Sequence, residues 1–213
     1  MKKRILSASA CCLLAASLFA GCIYFDSITY MQEISTENPE TVAAFDDFLN
    51  DIFVAEVTEN TINLHFTLSD PEDYGITDYP ISLGNISETA AADSNARLEN
   101  YLAGLDAFDY TELTLNQQLT LDILKSYIKL QLDMSDLYLY DEPLRPSTGI
   151  QSQLPILYEE YKFNNEQDVK DYLALIALTG DYFDQVIAFE QQKADAGLFM
   201  ADYSCNTIID QCN

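Results

Sequence analysis

The stretch TLNQQLTLDILKSYIKLQLDMSDLYLY, residues 114–140, carries the clearest periodicity in the chain. Its apolar side chains recur in steps of four and three residues, at Ile123, Tyr127, Leu130, Met134 and Leu137. This spacing is typical of a helix with a coiled-coil-like seam that packs against another helix. Thr114 and Gln117 form a capping-box pattern at its start. We therefore expect one long helix that ends near Tyr140, before a proline-bearing loop.

Similar apolar steps of three and four residues mark the sequence on both sides of this stretch. They predict helices over residues 38–56, 87–107, 156–161, 165–178, 181–196 and 204–213. A break is expected at Thr179-Gly180-Asp181, and a proline-bearing loop over residues 141–155. Short connections between such helices favour antiparallel hairpins. The sequence thus predicts an all-α helical domain over residues 38–213.

One segment departs from the helical period. Ile62-Asn63-Leu64-His65-Phe66-Thr67-Leu68 alternates apolar and polar residues, which in isolation is a strand pattern. No partner strand occurs in the neighbouring sequence. We therefore predict one short extended segment near residues 61–68 in an otherwise helical chain.

The N-terminus has the features of a bacterial lipoprotein signal. Basic residues at positions 2–4 precede an uncharged run, Ile5–Ala20. This run is shorter than the about 20 apolar residues that a transmembrane helix needs. Small residues stand directly before Cys22. We predict a signal peptide over residues 1–21, lipidation of Cys22, a membrane-proximal tether over 22–37, and an extracytoplasmic location at the cell membrane. An ordinary secretory signal, in which Cys22 is incidental, is the alternative.

Charge and composition narrow the classes of partner. The chain has 35 acidic and 10 basic residues and a net charge of −25, so nucleic acid binding is not expected. Attachment to a membrane would be through lipid and not through a basic patch. Acidity is compatible with cationic peptides or metal ions as partners, or with a solvated surface that keeps the protein soluble. A hydrophobic content of 48% favours a folded core.

Few residues are candidates for chemistry. His65 is the single histidine, so neither an H-E-x-x-H zinc motif nor a convincing Ser/His/Asp triad can be built. We assign no catalytic residue and no metal ligand, and interpret His65 as a half-buried structural residue. Arg145 lies in the 141–155 loop. It fits either an ion pair with one of the many carboxylates or a bidentate clamp for a substrate carboxylate.

Two cysteines remain near the C-terminus of the chain. Cys205 and Cys212 are seven residues apart, which on a helix separates them by about 10 Å, too far for a disulfide. Two partly buried free thiols are the favoured interpretation, with a disulfide as the alternative. No histidine is close in sequence, so a zinc site there has little support.

Several short stretches follow one another in an order that resembles a known family. They are Phe45-Asp46-Asp47-Phe48, Leu64-His65-Phe66, Asp70-Pro71, Tyr74-Gly75, Gly149-Ile150-Gln151-Ser152-Gln153-Leu154-Pro155, Asp168-Val169-Lys170-Asp171-Tyr172-Leu173 and Gly197-Leu198-Phe199. Over residues 40–213 the chain resembles the N-terminal part of the bacterial domain-of-unknown-function 885 (DUF885) family. Its members are largely helical, often secreted or lipid-anchored, and similar to zinc metallopeptidases of the carboxypeptidase and oligopeptidase type.

The resemblance implies more than this chain contains. The zinc motif of the family, an H-E-x-x-x-G-H-like sequence, lies in the second half of a longer chain, so zinc is expected for full-length members and for no residue here. The chain would then be an N-terminal helical half that packs on a missing C-terminal half, lines a peptide-substrate cleft and is inactive alone. The alternative is a complete helical surface lipoprotein that binds a peptide or protein partner.

Overall fold

The computed structural model describes residues 36–212. Seven α-helices lie within them: α1 Pro39–Thr58, α2 Thr61–Thr67, α3 Glu88–Asp106, α4 Leu115–Asp133, α5 Ile150–Glu159, α6 Glu166–Asp195 and α7 Asp202–Cys212. Three short 3₁₀ helices occur at Pro71–Tyr74, Tyr110–Glu112 and Ser135–Tyr140. No β-strand occurs in this part of the chain, and the all-α prediction is confirmed.

The N-terminal predictions lie outside the described residues. The signal peptide, the lipidation site Cys22 and the tether up to residue 35 therefore remain predictions. Among the described helices, none combines the length and the apolar character needed to cross a bilayer.

Two predicted helix starts are confirmed by their hydrogen bonds. At α1, the Asn38 side chain accepts a hydrogen bond of 3.0 Å from the Glu40 amide. At α4, the Thr114 hydroxyl accepts from the Gln117 amide, and the Gln117 side chain accepts from the Thr114 amide, both at 3.2 Å. These bonds satisfy amide groups that a helix leaves unpaired in its first turn, so the two starts are fixed locally.

The described residues divide into two units, 36–47 with 104–126, and 48–103 with 127–212. In the first unit, Phe45 is fully buried and meets Phe108 edge to face, with 5.1 Å between ring centroids. The buried Gln117 side chain donates to the Val42 carbonyl at 3.0 Å and to Asp46 at 2.7 Å. Side-chain hydrogen bonds to α1 thus hold the start of α4 in this unit.

The second unit has two buried apolar clusters. One contains Ile62, Leu83, Leu154, Tyr161 and Leu175, and the other contains Val57, Leu64, Leu68 and Ile76. Both include residues of α2, so this short helix is central to the packing of the unit.

The prediction of an extended segment near residues 61–68 is wrong, because Thr61–Thr67 forms α2. The buried positions are Thr61, Ile62, Leu64 and Leu68, with His65 half-buried, which is a helical spacing. Polar residues occupy two positions of this buried face, so the hydrophobic pattern alone looked alternating. Asn60 caps the helix by accepting a hydrogen bond from the Asn63 amide at 3.0 Å.

The predicted break at Thr179-Gly180-Asp181 is also wrong, because α6 runs without interruption from Glu166 to Asp195. A glycine in a helix costs only about 1 kcal/mol, which the packing of a long helix can outweigh. The end at Gly197 is confirmed. Its φ of 73° is left-handed, and the Leu198 amide donates to the Lys193 carbonyl at 2.8 Å, which terminates the helix.

The regular seam in residues 114–140 is helical but does not pack as predicted. The α-helix ends at Asp133, and Ser135–Tyr140 continues as a 3₁₀ helix. All five seam residues are exposed, by 47% to 58% of their surface: Ile123, Tyr127, Leu130, Met134 and Leu137. The loop predicted over 141–155 is shorter, because α5 already begins at Ile150 and contains Pro155.

Candidate functional site

Helix α2 separates two sites in the second unit. The first, here the apolar groove, is an open cavity of about 400 Å³. It is lined by Asn60, Ile62, Asn63, Phe66, Leu83, Ile150, Leu154, Leu157 and Tyr182. No charged residue is among them, although the chain carries a net charge of −25. A cavity of this size and polarity is typical of sites that bind small molecules or peptide side chains.

Hydrogen bonds at the start of α2 shape one wall of the apolar groove. The Asn60 side chain caps α2 and also donates to the Leu83 carbonyl at 2.8 Å. The Thr61 amide donates to the Ser82 carbonyl at 2.8 Å, and the Ser82 amide donates back to the Thr61 hydroxyl at 2.9 Å. The irregular segment before α3 is thereby fixed against α2, and Leu83 is held in the groove wall.

The opposite wall is supplied by α5, whose start depends on a close backbone contact. A Cβ at Gly149 would lie 2.3 Å from the Arg145 amide nitrogen and 2.6 Å from the Arg145 carbonyl oxygen. The Gly149 amide donates to that carbonyl at 3.0 Å, and the Gln151 side chain donates to it at 2.8 Å. Only glycine fits at position 149, directly before α5. This close contact fixes the start of α5 and so places Ile150 and Leu154 in the groove.

The second site, here the polar cluster, lies on the other face of α2. It contains His65, Tyr79, Tyr161, Asp168 and Asp171. The His65 ring stacks on the Tyr161 ring, with 3.7 Å between centroids and an interplanar angle of 7°. They form part of the lining of a cavity of about 20 Å³, which has room for one water molecule.

The hydrogen bonds of His65 define its tautomer. Its Nε2 accepts from the Lys162 amide at 3.3 Å, so in the neutral ring the proton is on Nδ1. That nitrogen lies 3.8 Å from Asp168 Oδ1. Burial lowers the pKa of His65 below 6.5, and the neighbouring carboxylates of Asp168 and Asp171 offset only part of this effect. His65 is therefore held as a neutral ring.

Asp168 also has a structural role at the start of α6. Its Oδ2 accepts from the amides of Asn164 and Asn165 at 2.7 and 3.1 Å, and Asn165 accepts from the Asp168 amide at 3.0 Å. These bonds form a capping box at the start of the helix that the sequence predicts from residue 165. The polar cluster thus links α2 to the cap of α6.

Asp171 is the most buried acid of the polar cluster, at 2% exposure. The Tyr79 hydroxyl donates to Oδ2 at 2.6 Å, and the Gln167 side chain donates to Oδ1 at 2.7 Å. Burial, together with the Asp171 carboxylate, raises the pKa of Tyr79, so the phenol stays protonated and remains a donor. Both carboxylate oxygens are satisfied, which makes the acid tolerable in the interior.

The polar cluster is a hydrogen-bond network that connects α2, Tyr79 and the start of α6. The cavity holds about one water molecule, and Ser69, the one serine among its lining residues, makes no hydrogen bond to His65. Sequence reasoning placed His65 as a structural residue but did not identify Tyr79 or Asp171 as its neighbours. The three-residue spacing of Asp168 and Asp171 places both acids on one helix face, and this pattern could have identified Asp171 from the sequence.

Arg145 is not brought to either site. Its side chain is exposed, and no carboxylate of residues 36–212 lies within 4.0 Å of the guanidinium, so the ion-pair interpretation is wrong within this range. Cys205 and Cys212 both lie on α7 and are free, which excludes the disulfide alternative. Partial burial was expected for both thiols, but Cys212 is exposed because it lies at the last position of the helix.

Zinc does not fit the described residues. Within residues 36–212, no group of three His, Cys, Asp or Glu side chains could hold a metal ion. The single histidine already uses the lone pair of Nε2 to accept from the Lys162 amide. The site geometry therefore supports no step through a metal in this part of the chain.

A third feature was not found by sequence reasoning. Lys193 is 2% exposed, and its Nζ donates to the Asp141 carbonyl at 2.6 Å. Glu190 is buried one helical turn earlier on α6, and burial raises its pKa although the Lys193 ammonium opposes this. The Lys193 hydrogen bond fixes Asp141, which follows the 3₁₀ helix Ser135–Tyr140, against α6. A helical i, i+3 acid–base pair is too common to have predicted this.

Comparison with known proteins gives one finding. A family model described as "Bacterial protein of unknown function (DUF885)" matches residues 72–213, which is more than half of the chain. The matched range includes α5 and the polar-cluster residues of α6, whereas α1 and α2 precede it. No curated protein and no solved structure matches the chain.

Proposed function

The chain belongs to the bacterial DUF885 family, and from this premise we propose that it is a helical, non-hydrolytic part of a zinc-peptidase-like protein. In this proposal it lines a peptide cleft outside the cytoplasm, is anchored by lipid on Cys22, and requires a zinc-bearing C-terminal part for catalysis. That part would pack against the helices described here.

The observation that carries the proposal is the amount of apolar surface left open on two elements. The seam residues Tyr127, Leu130, Met134 and Leu137 are exposed, as are Val169, Leu173, Ile176 and Ile187 along one face of α6. The spacing of the second set, four, three and eleven residues, is helical. Apolar stripes of this regularity favour burial by a partner, because isolated exposed apolar residues follow no period.

A dye-binding and activity experiment tests this proposal. We expect the purified chain to bind a hydrophobic dye, to retain no stoichiometric zinc after dialysis, and to hydrolyse no peptide. Adding a zinc-bearing C-terminal part of a family member should lower dye binding and produce hydrolysis. Hydrolysis by the chain alone, or a chain that melts cooperatively with low dye binding, would contradict the proposal.

Anchoring at Cys22 has its own test. Replacing Cys22 by serine should abolish incorporation of a labelled fatty acid and move the protein from the membrane fraction to the soluble extracytoplasmic fraction. Cys205→Ser is the matched control and should change neither result. Equal fractionation of the wild type and Cys22→Ser would instead support the ordinary secretory signal.

Arg145 is our candidate for binding a substrate carboxylate. The Arg145 backbone packs closely against Gly149. Its side chain is exposed, and no carboxylate of residues 36–212 lies within 4.0 Å of the guanidinium. Arg145→Gln should weaken binding of a peptide with a free C-terminal carboxylate by about tenfold or more, and leave binding of the amidated peptide unchanged. An equal loss for both peptides would indicate a role in folding.

The apolar groove favours a second candidate function, a helical surface lipoprotein that binds a peptide or protein partner. A cavity of about 400 Å³ without charged lining can bind a ligand without any metal. The DNA that follows the last codon separates the two functions. An H-E-x-x-x-G-H-like sequence there, in any frame, supports the peptidase-like protein, and its absence supports the lipoprotein.

A further inference from the structure

The apolar groove is one end of a longer depression in the second unit. A cavity of about 350 Å³ shares Asn60 with it, and a third cavity of about 590 Å³ shares Ala91, Ser94 and Tyr138 with the second. We call these three connected cavities the trough. The shared lining residues place the three cavities next to one another, so one extended ligand can contact all three parts.

The side chains along the trough change in a definite order. The first cavity is apolar, and the third contains the exposed apolar residues Met134, Leu137 and Tyr140. The middle cavity is lined mainly by small or polar residues, which are Asn60, Ser82, Gly84, Asn85, Ser87, Ala90, Ala91 and Ser94. Small side chains leave room for a main chain, and their hydroxyl and amide groups can hydrogen-bond to it.

The charges of the trough have one sign. Among all residues that line its three cavities, only Glu59 and Asp141 are charged, and both are acidic. Arg97 already donates to both oxygens of the Glu59 carboxylate, at 2.9 and 3.0 Å. Asp141 is exposed, and within the described part of the chain no Lys or Arg nitrogen lies within 4.0 Å of its carboxylate. The Lys193 ammonium donates to the Asp141 main-chain carbonyl and not to this carboxylate, so the carboxylate is open to a cationic group.

We propose that the trough binds an extended, basic peptide segment. An uncharged apolar side chain of the peptide enters the apolar groove, its main chain crosses the middle cavity, and a Lys or Arg side chain reaches Asp141. The proposal rests on the proposed function insofar as the ligand is a peptide. It adds where the peptide binds, that a basic peptide is preferred, and which residues select the peptide sequence.

The overall charge favours a basic peptide over a lipid. A fatty acid or an anionic lipid headgroup would approach a chain with a net charge of −25 and a trough whose charged lining residues are both acidic. Both features repel an anion and attract a cation. An acidic peptide is disfavoured for the same reason.

The test uses the purified full chain and three labelled peptides with blocked ends. One has a central leucine flanked by lysines, the second replaces the lysines by glutamates, and the third replaces the leucine by glycine. We expect the first peptide to bind, with an affinity that falls as salt is added. The other two should bind at least about tenfold more weakly, since each lacks one of the two recognised groups.

Two variants locate the binding site. Asn63→Trp places a large ring at an exposed position of the apolar groove, and Asp141→Asn removes the negative charge of the Asp141 side chain. Each should weaken binding of the leucine–lysine peptide by about tenfold. Asn50→Trp and Asp136→Asn are the matched controls, because both residues are exposed and line no part of the trough. Circular dichroism of all four variants confirms that the helices remain.

The proposal is overturned if no peptide binds, if the glutamate peptide binds as tightly as the lysine peptide, or if Asn63→Trp and Asp141→Asn both retain wild-type affinity. Preference for an anionic lipid vesicle over the lysine peptide would also overturn it. Failure of the proposed function would be seen separately, as hydrolysis of these peptides by the chain alone or an unlipidated Cys22. Hydrolysis and lipidation are measured in separate assays, so the two proposals can fail independently.

Discussion

Two helical surfaces in the second unit contrast in pattern and in burial. The seam of residues 127–137 has the most regular apolar spacing in the chain, yet Tyr127, Leu130, Met134 and Leu137 are all about half exposed. The inner face of α2 has no clear apolar period, yet Thr61 and Leu64 are 1% exposed. The irregular pattern marks the core, and the regular pattern marks open surface.

The difference shows what periodicity measures. A regular apolar stripe indicates an amphipathic helix, but it does not identify the partner that covers the apolar face. On α2 the polar members of the inner face, Thr61 and His65, are accepted because distant segments supply hydrogen bonds and a stacked ring. Burial is a property of the assembled unit, and a local pattern records only part of it.

The largest expected effect comes from truncating one residue on each surface. Leu64→Ala should lower the free energy of unfolding by about 2–5 kcal/mol, because it leaves a cavity beside the buried Val57, Leu68 and Ile76. Leu130→Ala should change it by no more than about 0.5 kcal/mol, since the side chain is 55% exposed. Urea unfolding followed by circular dichroism measures both values. Equal effects would show that the seam is buried in solution by a partner, such as a second copy.

The next effect concerns the buried acid of the polar cluster. Tyr79→Phe removes the hydroxyl that donates to Asp171 at 2.6 Å and leaves one carboxylate oxygen without that donor. We expect a loss of about 1–3 kcal/mol in the free energy of unfolding. Tyr127→Phe on the exposed seam is the matched control and should be neutral. A neutral Tyr79→Phe would mean that water replaces the phenol and that the cluster is open.

His65 should make the stability of this region depend on pH. Because burial lowers its pKa below 6.5, the unfolded chain takes up a proton first as the pH falls. The stability contributed by the neutral ring is therefore present above pH 6.5 and is lost as the pH falls from there towards the lower pKa of the folded protein. Unfolding of the wild type and His65→Gln, compared between about pH 7.5 and about pH 5, should show the difference shrinking. A constant difference would contradict a buried neutral histidine.

Glu190 should give the smallest effect, and with the opposite sign. Burial raises its pKa above 4.5, so the ionised form costs stability at neutral pH and protonation relieves that cost as the pH falls. Glu190→Gln should therefore stabilise the protein near pH 7 and have less effect in acid. Glu166→Gln, at an exposed position of the same helix, is the control. Destabilisation by Glu190→Gln at neutral pH would show that its attraction to Lys193 exceeds the cost of burial.

Much of the fold could be predicted from short-range patterns. The start of α1 at Asn38, the capping boxes of α4 and α6, and the end of α6 at Gly197 all depend on residues within a few positions of one another. The break at residues 179–181 failed, because one glycine costs less than a long helix gains from packing. The extended segment near 61–68 failed, because the packing partners of α2 lie far away in sequence.

The candidate site could be predicted only in part. His65 and the segment Gly149–Pro155 were singled out from the sequence, but their neighbours were not. Tyr79 bonds Asp171 across 92 residues, and His65 accepts from an amide 97 residues away. No local pattern encodes a separation of this size. The same limit hid the trough, whose lining residues come from several separate segments of the chain.

The sequence by itself determined that this protein is helical, where most helices begin and end, and that it belongs to a family recognised over residues 72–213. These properties follow from hydrogen bonds and side-chain spacing within one or two helical turns. Only the tertiary structure decided which helix faces are buried, where the uncharged groove and the carboxylates of the trough lie, and which polar groups are satisfied inside. Those outcomes depend on apolar burial and hydrogen bonds between segments far apart in the chain, which form only when the whole unit has assembled.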